Sequence, residues 1–148
     1  MKKLIFILLV LPLTILAQKT YVPDNNFETY LENNGMGDGI SNNDSVLTSN
    51  INTITYLHIN SLAITNLTGI EGFSNLEELI CYDNNLSILH LNQNINLNYL
   101  NCGGNNLTSL VIDSCINLET LECHSNFLSI LDVSNNSLLS QLQCYGNN

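Results

Sequence analysis

Arginine is absent from this 148-residue chain, and proline does not occur after Pro23. The only strong bases are three lysines, against 13 acids. Two of them, Lys2 and Lys3, open a short leader. An apolar stretch from Leu4 to Leu16 follows, then the small residue Ala17 before Gln18. That order is the pattern of a secretory signal peptide over residues 1–17, with cleavage expected after Ala17 and the mature chain secreted or at the cell surface. The stretch is too short to span a bilayer comfortably, and no cysteine follows the cleavage point to carry a lipid. Without the leader, Lys19 stands alone against 13 acids, a formal charge of −12. A surface of that sign repels phosphate, which excludes nucleic acid and insertion into anionic membranes. The missing proline leaves backbone ladders uninterrupted.

What is present is a 21-residue echo. Leu76, Leu97, Leu118 and Leu139 keep that interval. So do Leu79, Leu100, Leu121 and Leu142; Cys81, Cys102, Cys123 and Cys144; and Asn84, Asn105, Asn126 and Asn147. Each unit reads L-x-x-L-x-C-x-x-N. A fixed period in this range marks a solenoid, whose coils bury their apolar faces only against one another. About six apolar side chains per turn, such as Leu76, Leu79, Cys81, Leu86, Leu89 and Leu91, make burial the dominant stabilising term at ~1.5–3 kcal/mol per large residue.

Two spacings within the unit predict local structure. Leu79-Ile80-Cys81 alternates in, out, in, as a pleated strand requires. Leu89-His90-Leu91, Leu110-Val111-Ile112 and Leu131-Asp132-Val133 repeat that alternation and predict a second ladder. The cysteines fill a column that leucine would serve equally well, so they read as reduced, buried thiols. In-register side chains on parallel strands point the same way rather than at each other, which argues against disulfides although the spacing is within reach. Cys115 lies outside this ladder and is expected to be exposed. The asparagine column is expected to bond backbone groups of its own coil and the next, where the chain leaves the strand.

Residues 18–53 read as an N-terminal cap and 54–148 as the repeats. In the cap, Asn25 is expected to start a helix with Glu28 reaching back to it. Phe27, Tyr30 and Leu31 share its apolar face, and Asn33-Asn34-Gly35 stop it. Such a helix would cover the raw end of the first coil. The polar loop Gly35–Ser45 offers oxygen ligands, but Ile40 stands where a calcium loop needs one, so the loop reads as a turn and no metal is assigned. The first repeat is a variant with a 22-residue step, placing Ile59 in the cysteine column and Leu62 in the asparagine column.

No catalytic constellation is present. His58, His90 and His124 fall on different coils, and Cys123 and His124 face opposite ways. No C-x-x-C pair suggests zinc. The chain therefore reads as non-enzymatic and without a cofactor.

Leu57 to Leu76, with its Leu67-Thr68-Gly69-Ile70 turn, resembles the internalin type of bacterial leucine-rich repeat. The units from Leu76 on, such as Leu118 to Asn136, are similar to the Cys-containing repeats of secreted and surface proteins in gliding-type Gram-negative bacteria. Val22 to Phe27 resembles the cap that precedes such arrays. The resemblance implies a right-handed curved solenoid, with parallel strands lining its concave face, and binding rather than catalysis. Relatives often end in a sorting domain. This chain stops within a repeat and reads as a fragment.

The outward strand positions form the candidate face. Tyr56, His58, Glu78, Tyr82, Tyr99, Asn101, Glu122, His124 and Tyr145 are its candidate ligand-binding residues, with the four tyrosines as amphipathic anchors. The scattered acids suit a basic or polyhydroxyl partner. The function read from this is an exported interaction module that binds a protein or glycan for adhesion or ligand capture. The alternative is a non-catalytic repeat module of a larger secreted enzyme.

Overall fold

The computed structural model describes residues 17–148. The expected signal peptide lies outside them except for Ala17. At the N-terminus β1 (Lys19–Tyr21) pairs antiparallel with β2 (Ser45–Leu47), and α1 (Asn25–Asn33) and α2 (Thr48–Ile51) pack against β2. Strands then recur along the coils as β3 (Tyr56–His58), β4 (Glu78–Ile80), β5 (Ile88–His90), β6 (Tyr99–Asn101), β7 (Ser109–Val111), β8 (Thr120–Glu122) and β9 (Gln141–Gln143).

Asp24, and not Asn25, caps α1. Its Oδ1 accepts from the N–H groups of Asn26 and Phe27 at 3.0 and 3.1 Å. Its Oδ2 accepts from Thr65 N, Thr65 Oγ1 and Asn66 N at 2.8, 2.7 and 3.1 Å. A carboxylate accepts on both oxygens where an amide accepts on one, so Asp24 can start the helix and clamp the first coil together. Burial alone would raise the Asp24 carboxyl, but the bonds from Thr65, Phe27 and Asn66 outweigh it and hold the group below the ordinary carboxylate range. Glu28 does not reach back to the cap. It is buried, and its Oε1 accepts from Asn43 N at 2.9 Å, pinning the polar loop instead. Phe27 and Leu31 are fully buried, and the Phe27 ring stacks on Phe73 of the first coil at 6.2 Å.

The L-x-G turn has a steric reason. Gly69 sits at φ +104°, and a Cβ there would lie 2.7 Å from both the Tyr21 carbonyl oxygen and Val22 Cγ2. Only glycine lets this turn pass under β1.

Five strands form one parallel sheet in the order β3-β4-β6-β8-β9. Its register stacks Leu57, Leu79, Leu100, Leu121 and Leu142. The expected second ladder has two rungs, β5 and β7, paired in parallel through Leu89 and Leu110. Leu131–Val133, the expected third rung, is not a strand. It lies on the outermost stretch of that wall, where Leu131 and Val133 are covered on one side and Ile130 is 81% exposed.

Cys81, Cys102 and Cys123 are fully buried between the walls, and all five cysteines are unpaired. Cys144 departs from the expected ladder by being exposed, as is Leu142 at 44%, since no coil among the described residues lies over them. Cys115 departs in the other direction. It is fully buried, with Sγ 3.4 Å from the Leu91 carbonyl oxygen. It occupies the middle of an inward file on the second wall, Asn94-Cys115-Asn136. Asn94 Nδ2 donates to Ile70 O and Phe73 O, and Asn136 Nδ2 donates to Ile112 O and Cys115 O. A thiol and an amide thus serve the same place, each donating to the preceding coil.

Burial pushes the Cys81 thiol up to about 12 and the Cys115 and Cys123 thiols up to about 11. Burial, then the neighbouring Cys81 and Cys123, raises Cys102 well above its ordinary value. Thiolate is the species that alkylates. Iodoacetamide at mild alkaline pH is therefore expected to modify Cys144 alone in the native chain, and all five cysteines after denaturation. Mass spectrometry checks this, and native labelling of Cys102 would contradict the packing.

Asn84, Asn105 and Asn126 are buried at the inner edge of the large sheet. They reach back to the preceding coil, not forward to the next. Asn105 Nδ2 donates to Cys81 O at 3.0 Å and to its own coil's Cys102 O at 3.1 Å, while its Oδ1 accepts from Leu86 N at 3.1 Å. Asn126 repeats the pattern on Cys102 O, Cys123 O and Leu107 N. The direction follows from supply: the preceding coil's turn exposes an N–H that the strand ladder does not use.

Candidate functional site

Each strand of the large sheet turns its central leucine inward and its flanking residues outward. Register lines these up into files. One runs Tyr56, Glu78, Tyr99, Thr120, Gln141, and the next His58, Ile80, Asn101, Glu122, Gln143. A third file, Asn60, Tyr82, Gly103, His124 and Tyr145, continues beyond the strands. It is held by backbone bonds from Ser61 N to Tyr82 O, Asp83 N to Gly103 O, Gly104 N to His124 O and Ser125 N to Tyr145 O, all 2.8–3.0 Å.

The nine candidate residues share this face but form separate groups. Tyr56 stands at the first strand, 62% exposed. Beside it, His58 Nε2 lies 2.9 Å from Glu78 Oε1 across adjacent coils. At the centre, Glu122 accepts from Tyr99 Oη at 2.9 Å and from Asn101 Nδ2 at 2.8 Å. Both carboxylate oxygens are thereby engaged. Asn101 Oδ1 in turn accepts from Gly103 N at 3.2 Å, which fixes the amide's orientation. Burial, followed by the Glu122 carboxylate beside it, pushes the Tyr99 phenol above its ordinary range, so it stays a donor. At the far end the rings of His124 and Tyr145 stack at 4.8 Å with 3° between their planes. Tyr145 is 64% exposed, and Tyr82 is half-buried in the same file.

The cross-coil bonds were not legible from spacing. Alternation finds the outward residues, but which carboxylate meets which hydroxyl depends on rotamers. The contribution of Gly103 was also missed, since an absent side chain leaves no signature in an alternating pattern.

The chemistry open to this face is contact chemistry. His58 pairs with Glu78, His124 Nδ1 is 3.4 Å from Ser125 Oγ, and His90 is exposed on the other wall. Among the described residues no group of three or more His, Cys, Asp or Glu is placed to hold a metal ion. In the polar loop, the Asp38 carboxylate is occupied by Lys19 Nζ at 2.6 Å and by Asn43 Nδ2. That pairing with Lys19 lowers its carboxyl to about 2. Among the described residues no helix is long and apolar enough to cross a membrane. A hollow of ≈ 380 Å³ lies away from this face between Thr65–Glu71 and β5, and one of ≈ 450 Å³ lies at the cap beside β1 and Thr48.

No family model and no curated protein matches the chain. Solved structures do. The chain is similar to the functional domain of InlJ from Listeria monocytogenes, which includes a cysteine ladder, at 36% identity and a TM-score of 0.75 over 90% of this chain. It is similar to a leucine-rich-repeat protein of Leptospira interrogans at 27% identity and a TM-score of 0.60 over 68% of this chain. An internalin, InlF of Listeria monocytogenes, shares the fold at 20% identity and a TM-score of 0.63 over 90% of this chain. The chain spans 30%, 27% and 48% of those three structures respectively.

Proposed function

We propose that this leucine-rich-repeat solenoid, similar in structure to internalin-like proteins, binds a protein or glycan partner through the outer face of its five-stranded sheet. In this reading it is exported and serves adhesion or ligand capture at the cell surface. The similarity to internalin-like structures supports an interaction module rather than an enzyme. The observation that carries the choice of face is the row of tyrosines. Tyr56, Tyr82, Tyr99 and Tyr145 stand on one face, on four different coils, Tyr56 and Tyr145 exposed and Tyr82 and Tyr99 half-buried. Tyrosine gives a large contact area at little conformational cost, with a polar tip for hydrogen bonds. The leader sequence supports export.

The test is binding of the fluorescently labelled chain to a panel of intact cells and to arrayed cell-surface glycans. Combined Tyr56, Tyr82, Tyr99 and Tyr145→Ala substitution is expected to reduce binding at least ~10-fold, since buried aromatic anchors commonly dominate such contacts. The melting curve should hardly move, because none of the four packs in the core. Undiminished binding by this variant would remove the assignment of the face.

A further inference from the structure

We propose that the gap between the first coil and β5 is a second docking site, which takes an extended, basic segment of a partner protein as an added strand. It lies away from the tyrosine-bearing face and does not depend on what that face binds.

The second ladder stops one coil short of the cap. Ser87 O accepts from Thr108 N at 2.9 Å, and Leu91 N donates to Val111 O at 2.9 Å, so Ser87, Leu89 and Leu91 turn their backbone groups toward β7. Strand alternation sends the N–H and C=O groups of Ile88 and His90 the other way, toward the first coil. No backbone group among the described residues bonds them there. The two coils are joined by Asn85 N to Ile64 O at 2.8 Å, and again by Asn94 Nδ2 to Ile70 O at 2.9 Å. Between those two bonds the ≈ 380 Å³ hollow opens, lined by the first coil on one side and by Ser87 to His90 on the other. The cause is the cap. Asp24 takes the Thr65 and Asn66 N–H groups, and Gly69 packs against Tyr21 and Val22. This stretch of the first coil is therefore held to β1 and α1 and is not zipped to β5.

Three features select the occupant. The open groups of Ile88 and His90 are donors and acceptors at strand spacing, which another extended backbone matches directly. The buried Leu67, Ile70 and Leu89 line the inner side of the hollow, so alternate side chains of an added strand meet the edge of the core. Glu71 is exposed at the rim, where its Oε2 accepts from Gly69 N at 2.9 Å and leaves Oε1 for a ligand. Lys19, the one strong base among the described residues, is held by Asp38 at 2.6 Å. The rim thus complements a basic side chain and repels an acidic one. Edge strands are commonly kept from pairing by a lysine or a proline, and β5 carries neither.

The experiment is an NMR titration of the isotopically labelled chain with the blocked peptide Thr-Val-Arg-Val-Thr. Two further forms carry N-methyl groups, one on both valines and one on the arginine and threonines. The parent peptide is expected to shift the backbone amides of Ile88 and His90. Only alternate amides of an added strand face β5, so one methylated form should bind at least ~5-fold more weakly than the other. Glu71→Gln, which keeps an acceptor for Gly69 N, should weaken the parent peptide about 3-fold. Equal affinity of the three peptides, an unchanged affinity in Glu71→Gln, or unmoved Ile88 and His90 amides would each overturn the assignment. Shifts of those amides on concentrating the chain alone would give the edge to a second copy, and an equal response to a neutral oligosaccharide would give the hollow to a glycan. Either would also overturn it. The chain without Tyr56, Tyr82, Tyr99 and Tyr145 should bind the parent peptide undiminished. Loss of binding there would assign the peptide to the tyrosine face instead, whereas failure of that face in the cell assay leaves this site untouched.

Discussion

Leu100→Asp is expected to abolish cooperative unfolding of the array. Leu100 is fully buried at the centre of the sheet, stacked between Leu79 and Leu121. The substitution removes about 2–5 kcal/mol of packing and burial. It also places a carboxylate where neither water nor a base can reach it. The total exceeds about 4 kcal/mol, against a whole-domain stability of about 5–15 kcal/mol. Its position makes the damage worse than its size. Repeats are held by nearest-neighbour contacts, so a coil that cannot pack separates the coils on either side. Urea denaturation followed by circular dichroism should show a broad, sloping change in place of a sigmoid. Leu142→Asp, at the half-open coil, is the control and should leave the transition sigmoidal. An unchanged curve for the Leu100 variant would refute the stacking.

The second large effect concerns a polar side chain. Asn105→Leu should destabilise the chain by about 2–4 kcal/mol, although it adds an apolar residue to a buried site. The two carbonyls nearest the Asn105 amide each accept from two amides: Cys81 O from Asn84 and Asn105, and Cys102 O from Asn105 and Asn126. Losing Asn105 leaves each with one donor. The Leu86 N–H has no such reserve, because Asn105 Oδ1 is the acceptor that holds it. The main cost is therefore one buried orphan donor plus a tight turn forced around a branched side chain. The same change at the half-exposed Asn147 should cost less than half as much, since solvent can replace its bonds to Cys123 O and Leu128 N. Thermal melts of the two variants compare them directly. Equal losses would mean that the amide file is incidental.

The two effects mark what could be read from residues alone. Leu76, Leu79, Cys81 and Asn84 recur at one interval because every coil asks the same thing of them, so period revealed the large sheet and its buried spine. The second inner file was invisible because Asn94, Cys115 and Asn136 meet one demand with two chemistries, and a search for identical residues passes over them. Cys144 and Leu142 carry the repeat's pattern without its burial, since burial comes from a neighbour and not from the residue. The cap helix was found, but its start was displaced by one residue. The contact that decides it, Asp24 to Thr65 and Asn66, crosses 41–42 residues of sequence. The face was legible through alternation. Its internal bonds, Tyr99 and Asn101 to Glu122, were not, because they depend on side-chain torsions.

The backward reach of the asparagines gives assembly a direction. The turn N–H of Leu86, Leu107 or Leu128 is accepted by an amide oxygen arriving 19 residues downstream. A rung is finished by its successor and never by itself. During synthesis, then, the capped end can set first, the youngest turn is always the loose one, and each arrival locks the one before it, as in a zipper with a single slider.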